Sequence, residues 1–230
     1  MPKHHLTPEE PPVGRVRFGD LRRVTPINRS FGFERGRPID RYYIEGFLAE
    51  HAHEVHGHVL EMGDNHYTHQ FGETRVTRSD VLNLTPDNPV ATIIADLTQA
   101  DHLTSDTFDC IIFTQTLQFI YDLRAAVSTL HRILKPGGVL LMTVPVMSQV
   151  CRYDMDRWGD YWRFTDAAPR RLLGDIFGAE NVTVKAYGNV LAVVGFLHGL
   201  SAHEIEPDEL DYCDPDYQLL VTARAAKLSV

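Results

Sequence analysis

Short apolar runs alternate with amphipathic stretches along most of this 230-residue chain. Residues 59–62, flanked by Gly57 and Gly63, read as a buried strand, as do 75–82, 91–95, 110–114 and 139–144. Near-continuous apolar runs of this kind belong to parallel sheets covered on both faces. Between them, 38–55 reads as a helix with Pro38 in its first turn and apolar pairs Tyr43/Phe47 and Ile44/Leu48. A short, poorly marked helical stretch follows the first strand. Leu123, Val127, Leu130 and Leu134 recur at helical spacing, and Lys135-Pro136-Gly137-Gly138 is expected to end that helix. Thr165 is expected to cap a helix bearing Leu172, Leu173, Ile176 and Phe177. Residues 182–184 read as a strand, 189–200 as a helix and 204–216 as an exposed acidic loop. From Tyr217 to Ala225 apolar and polar positions alternate, which predicts a last strand that is antiparallel and near an edge. The expected class is α/β: an open, doubly wound sheet with helices on both faces.

In such sheets ligands bind outside the carboxyl ends of the strands. Glu61, Gly63, Asp80, Asp96 and Thr114 all fall at expected strand ends. A strand closing on Glu-x-Gly can turn tightly and offer backbone N–H groups, while its acid pairs with a cation. Asp80 follows Glu61 by 19 residues, the distance at which a second-strand acid reaches ribose hydroxyls; Asp87 is its competitor. Asp96 with Leu97 suits an adenine, by accepting from its amino group and covering its ring.

Composition narrows the partners. A net charge of −9 argues against nucleic acid, and no apolar run approaches 18 residues, so no membrane span is expected. The start of the chain shows no apolar core of a secretory signal, and Cys110, Cys151 and Cys213 lack CxxC spacing, which together predict a cytoplasmic protein. Residues 1–36 are expected to form a loose tail and an arginine-rich lid, and 37–230 a single domain. From Arg15 to Arg41 eight arginines face three acids, a local reversal of sign that could receive an anion. Arg37, Arg41 and Tyr42 are therefore candidate substrate contacts. The run His51, His53, His56 and His58 lacks metal-ligand spacing, so no metal is expected. After the fifth strand, Tyr153, Asp154, Asp156, Asp160, Trp158, Tyr161 and Trp162 form an aromatic and acidic stretch suited to an acceptor wall. Tyr153, Asp154 and His198 are the candidate bases; His66 and Tyr67 sit where they could touch ligand.

Val59-Leu60-Glu61-Met62-Gly63, Asp96-Leu97, Asp106-Thr107-Phe108-Asp109 and Arg132-Ile133-Leu134-Lys135-Pro136-Gly137-Gly138 resemble, in order and spacing, class I S-adenosylmethionine (SAM)-dependent methyltransferases. Arg37-Pro38-Ile39-Asp40-Arg41-Tyr42-Tyr43 resembles a bacterial subgroup often fused to, or found beside, glycosyltransferases. The resemblance implies a Rossmann-like sheet of seven strands, the last antiparallel, and SAM as cofactor. It implies that Glu61, Gly63 and Asp64 place the methionine moiety, Asp80 the ribose, and Asp96 with Leu97 the adenine. Thr114 and Gln115 would face the reactive end, and Trp158 and Trp162 the acceptor. The acceptor implied is a small molecule of sugar, natural-product or carboxylate type, methylated on oxygen or nitrogen. The enzyme is expected to act alone, as a homodimer or beside a biosynthetic enzyme.

The family's first loop usually reads Glu-x-Gly-x-Gly-x-Gly, whereas Asp64, Asn65, His66 and Tyr67 follow Gly63 here. Asn65, tolerant of left-handed angles, is expected to hold the turn. Two other readings compete: a non-catalytic module of the same fold, and an NAD-dependent oxidoreductase. The latter requires glycine at 63, 65 and 68, where the chain has Gly, Asn and Thr.

Overall fold

Period-two alternation decides how the sheet is covered. In β1 (Gly57–Met62) Leu60 points to one layer while Val59 and Glu61 point to the other; in β4 (Phe108–Thr114) Ile111 and Phe113 oppose Cys110 and Ile112. Both sets are buried, so helices must cover both faces. The computed structural model describes residues 10–229, so the expected tail lies, up to residue 9, outside the described residues.

β2 is Val76–Asn83, β3 Ile93–Ile94, β5 Leu134–Pro145, β6 Val182–Tyr187 and β7 Leu220–Ala226. They form one seven-stranded sheet in the order β3-β2-β1-β4-β5-β7-β6. β3, β2, β1, β4 and β5 pair in parallel, and β7 runs antiparallel between β5 and β6. The last strand is thus antiparallel as expected, but it lies one strand in from the edge. Most of its residues are buried, so the alternation of 217–225 reflects two covered faces rather than one wet face.

The helices are α1 (Ile39–Glu50), α2 (Leu123–Ile133), α3 (Arg152–Met155), α4 (Ala167–Phe177), α5 (Val190–Leu197) and α6 (Pro207–Asp211). α1 and α5 cover the face of Val59, Ile112 and Leu141, while α2 and α4 cover the face of Leu60, Phe113 and Leu140. Asp122 caps α2 by accepting from the Ala125 N–H at 3.0 Å, and Asn189 caps α5 through the Ala192 N–H at 3.0 Å.

Three expectations change. α4 begins after Asp166, not Thr165, and neither side chain caps it. α2 ends at Ile133, and Lys135-Pro136-Gly137-Gly138 runs on inside β5 as an irregularity, where register jumps from Phe108↔Leu134 to Cys110↔Val139. Residues 204–216 are not simply a loop: Glu206 and Glu209 make a capping box on α6, which buries Leu210.

Leu130 is fully buried between α2 and the sheet. Leu130→Ala is expected to lower stability by about 2–5 kcal/mol, read as a lower urea midpoint with an unchanged slope.

Candidate active site

β1 and β4 are adjacent, yet the chain leaves them toward opposite sides of the sheet, which opens a crevice above their carboxyl ends. The first wall is built by Glu61. Its carboxylate is 2% exposed and accepts from the Tyr67 N–H (3.1 Å), the Thr68 N–H (2.7 Å) and the Thr68 hydroxyl (2.7 Å). It therefore holds the start of the following helical turn (Thr68–Gly72) and does not line the crevice. Burial pushes its pKa up to about 7 against those three donors.

Gly63 turns at φ +79°, and a Cβ there would meet open space. Its N–H donates to the Leu82 carbonyl (3.0 Å), and Asn88 Nδ2 donates to its carbonyl (2.6 Å). Asp64 then accepts from the His66 N–H (2.9 Å), and the chain enters the helical turn with ordinary backbone angles. Asn65 does not take up a left-handed conformation. It donates from Nδ2 to Ser79 Oγ (3.3 Å) and accepts from the His69 N–H at its carbonyl (3.1 Å). One glycine suffices because the turn is closed by Asp64 and Glu61.

The crevice measures about 750 Å³ and takes residues from every strand end above it: Met62 and Gly63, Asn83 and Asp87, Asp96 and Leu97, Thr116 and Phe119. Tyr153, Asp154, Trp158 and Tyr161 close its outer side. Asp96 Oδ1 is held by the Thr98 N–H (2.9 Å) and hydroxyl (2.8 Å), and Leu97 is buried beside it. Such a cleft, apolar on its floor with polar groups at the rim, has the size and lining of a nucleoside-cofactor site.

Asp80 is not in it. The side chain sits in the interior of β2, 5% exposed, held by His58 Nε2 (2.6 Å), the Thr92 hydroxyl (2.8 Å) and Arg78 (3.1 Å). The strand runs on through Val81 and Leu82, so its end is Asn83, which lines the crevice with the competitor Asp87. The apolar pair after Asp80 was the signal that the strand had not yet ended. Thr116, Phe119, Tyr121 and Asp122 also line it; they sit in a short irregular stretch with no periodicity to mark them.

A second pocket of about 220 Å³ adjoins the crevice, and the two share Phe119 and Asp154. Gln115, at φ +48° where β4 ends, lines this second pocket with Arg41, Arg163 and Cys151. Thr114 lines neither; its carbonyl accepts from the Thr116 hydroxyl (2.9 Å). Trp162 donates from Nε1 to the Ile120 carbonyl (3.1 Å) and packs on the core behind the site.

Arg37 and Tyr42 lie elsewhere. Arg37 pairs with Glu45 (2.7 Å) and Tyr42 donates to Asp211 (2.7 Å), on a separate groove of about 630 Å³. His198 follows α5 and lines none of these three cavities; its carbonyl accepts from the Ile27 and Asn28 N–H groups (3.0 Å each) and pins the N-terminal segment. Neither position lines the crevice or the pocket beside it. Among the described residues no group of three or more His, Cys, Asp and Glu could hold a metal ion, and no helix is long and apolar enough to cross a membrane.

Residues 45–142, from α1 to β5, match the profile of a family described as methyltransferase domain. A search of curated proteins returns no match. A SAM-dependent methyltransferase from Archaeoglobus fulgidus superposes at TM-score 0.56 with 12% identity, over 87% of this chain and 100% of that one. A 1,6-didemethyltoxoflavin-N1-methyltransferase from Burkholderia thailandensis, with its ligand and S-adenosylhomocysteine bound, superposes at 0.51 with 16% identity, over 83% and 80%. The [4+2]-cyclase SpnF superposes at 0.52 with 15% identity, over 82% and 81%. The sheet order defines a Rossmann-like α/β fold, residues 45–142 of which match a methyltransferase domain, and the solved structures that share the fold include SAM-dependent methyltransferases.

Glu61 makes stability depend on pH. Its pKa is raised from 4.5 to about 7, so its protonated form stabilises the fold below pH 4.5 and that contribution fades as pH rises through 7. The gap corresponds to about 3 kcal/mol at 1.36 kcal/mol per unit. Asp40, also raised by burial, acts in the same direction. Urea unfolding between pH 5 and 8.5 should show falling stability, and Glu61→Gln should remove the part of the slope that lies between the two pKa values, from 4.5 to about 7.

Proposed function

We propose that the enzyme transfers the methyl group of SAM to an oxygen or nitrogen of a small molecule seated in the 220 Å³ pocket. The observation that carries this is the join at Phe119 and Asp154, which places a pocket of about one ring's size against the cofactor crevice. A net charge of −9 disfavours a nucleic-acid acceptor. The Burkholderia neighbour's bound ligand is a small heterocycle, consistent with such a pocket on this sheet.

In this reading Gly63 and the backbone after it hold the methionine moiety, with Glu61 and Asp64 fixing that turn from behind. Asn83 and Asp87 face the ribose, and Asp96 with Leu97 the adenine. Tyr153 and Trp158 close over the cofactor, and Gln115 looks toward the acceptor. Bound SAM supplies an already activated methyl group, so the chain's own contribution is positioning and exclusion of water. Biosynthesis of a sugar or natural product inside the cytoplasm, as a homodimer or beside a partner enzyme, fits this reading. Residues 37–230 would serve as the single catalytic domain.

Calorimetric titration is expected to show SAM binding and no NAD binding. Asp96→Ala and Asn83→Ala should each weaken SAM by about 10–100-fold, the worth of one lost polar contact to ligand. Unchanged affinity in both variants would sink the assignment of the crevice.

A further inference from the structure

Two acceptor atoms in the small pocket have no donor. Gln118 is 5% exposed and donates from Nε2 to the Gln115 carbonyl (2.8 Å). A carbonyl can only accept, so the amide orientation is settled and Oε1 must point the other way, where it is buried without a partner. Asp40, in the first turn of α1, lines the same pocket, and its Oδ1 is likewise buried and unpartnered. Native structures seldom leave buried polar atoms unpaired, and two in one pocket point to a ligand that supplies donors.

Of the pocket's two arginines, Arg163 is ion-paired and Arg41 is held by a hydroxyl and two rings. Arg163 binds Asp160 with both terminal nitrogens (2.5 and 2.9 Å). Arg41 donates to the Tyr67 hydroxyl (3.0 Å) and lies over the Phe33 and Tyr67 rings. Asp40, Asp154 and Asp160 put three carboxylates on the lining. These three carboxylates outnumber the two arginines of the lining, so a carboxylate acceptor would meet net repulsion here.

We propose that the methyl acceptor is a hydroxyl or amine group, oriented by Gln118 Oε1, and that Asp40 takes its proton. This rests on the small-molecule reading above and narrows it. The acceptor's lone pair forms the new bond to the methyl carbon while the carbon–sulfur bond breaks and its pair stays on sulfur. The acceptor's proton passes to the Asp40 carboxylate. Burial raises the pKa of Asp40, with neighbouring Arg41 lowering it and Glu45 adding to the rise, which suits a proton acceptor. Asp154, at the join of the two cavities, is the rival base.

The test incubates the enzyme and its variants with methyl-labelled SAM and one-ring phenols, glycosides, primary amines and carboxylic acids. Transfer should go to hydroxyl or amine members, phenols and glycosides against amines telling the two apart. Asp40→Asn should lower kcat by about 10²–10⁴-fold and abolish its acid limb, with SAM affinity unchanged. Gln118→Leu should raise KM about 10-fold with SAM affinity unchanged, because it removes the acceptor that orients the substrate. Transfer confined to carboxylic acids would overturn the proposal and leave the small-molecule reading standing; label found only on macromolecules would end both. Loss of the acid limb in Asp154→Asn but not Asp40→Asn would overturn the role of Asp40. An unchanged KM for Gln118→Leu would mark a merely structural glutamine, and transfer to no member of the panel would overturn the proposed acceptor class.

Discussion

A carboxylate buried at the end of β1 holds the catalytic half of the molecule together. Burying Glu61 costs the solvation of its charge, and three donors from Tyr67 and Thr68 offset that cost. Those same residues carry the constraint outward. Tyr67, held at its N–H by Glu61, accepts at its hydroxyl from Arg41, and Arg41 follows Asp40 on α1. The turn at Gly63 and the pocket lined by Asp40 are thus fixed to one another through a single buried acid. A change at Glu61 is felt in both cavities, although its side chain lines neither.

The fold was legible because its signals are local. Period-two alternation with both sets apolar specifies a sheet covered twice, and Leu123, Val127 and Leu130 specify the stripe of α2 without knowledge of its partner. Strand ends were less legible, since an end is set by where pairing stops. Asp80 looked terminal, but Leu82 and Asn83 still pair with Ile93 and Ile94, so the strand ends three residues later, at Asn83. The sequence Lys135-Pro136-Gly137-Gly138 carries every mark of a helix stop. It does follow a helix end, yet it also belongs to β5, where Lys135 reaches Asp109 (2.7 Å) and the glycines absorb the change in register.

The loop after Gly63 shows why a motif's missing glycines do not translate into a missing turn. Glycines serve a loop that needs left-handed angles or close backbone approach. Here the Asx-type turn of Asp64 sends the chain straight into a helical turn, and only Gly63 needs such an angle. The acceptor pocket was not legible at all. Phe31, Phe33 and Asp40 come from one end of the chain, Gln115 and Gln118 from the middle, and Asp160 and Arg163 from beyond β5. No spacing rule links three such distant segments.

The arginine-rich segment gains a different meaning from its contacts. Arg35 is bound by Glu204, whose carboxylate is thereby lowered to about 2; Arg37 by Glu45; and Arg41 by the Tyr67 hydroxyl. These contacts fasten the N-terminal segment and α1 to the elements around the site. Arg41 also lines the pocket, beside the unpaired oxygens of Asp40 and Gln118. Unpaired buried acceptors cost stability, and they persist where surrounding contacts over-determine the backbone that carries them. The arginine pairs are such contacts: they hold α1 firmly enough for Asp40 to stay unpartnered until a donor arrives.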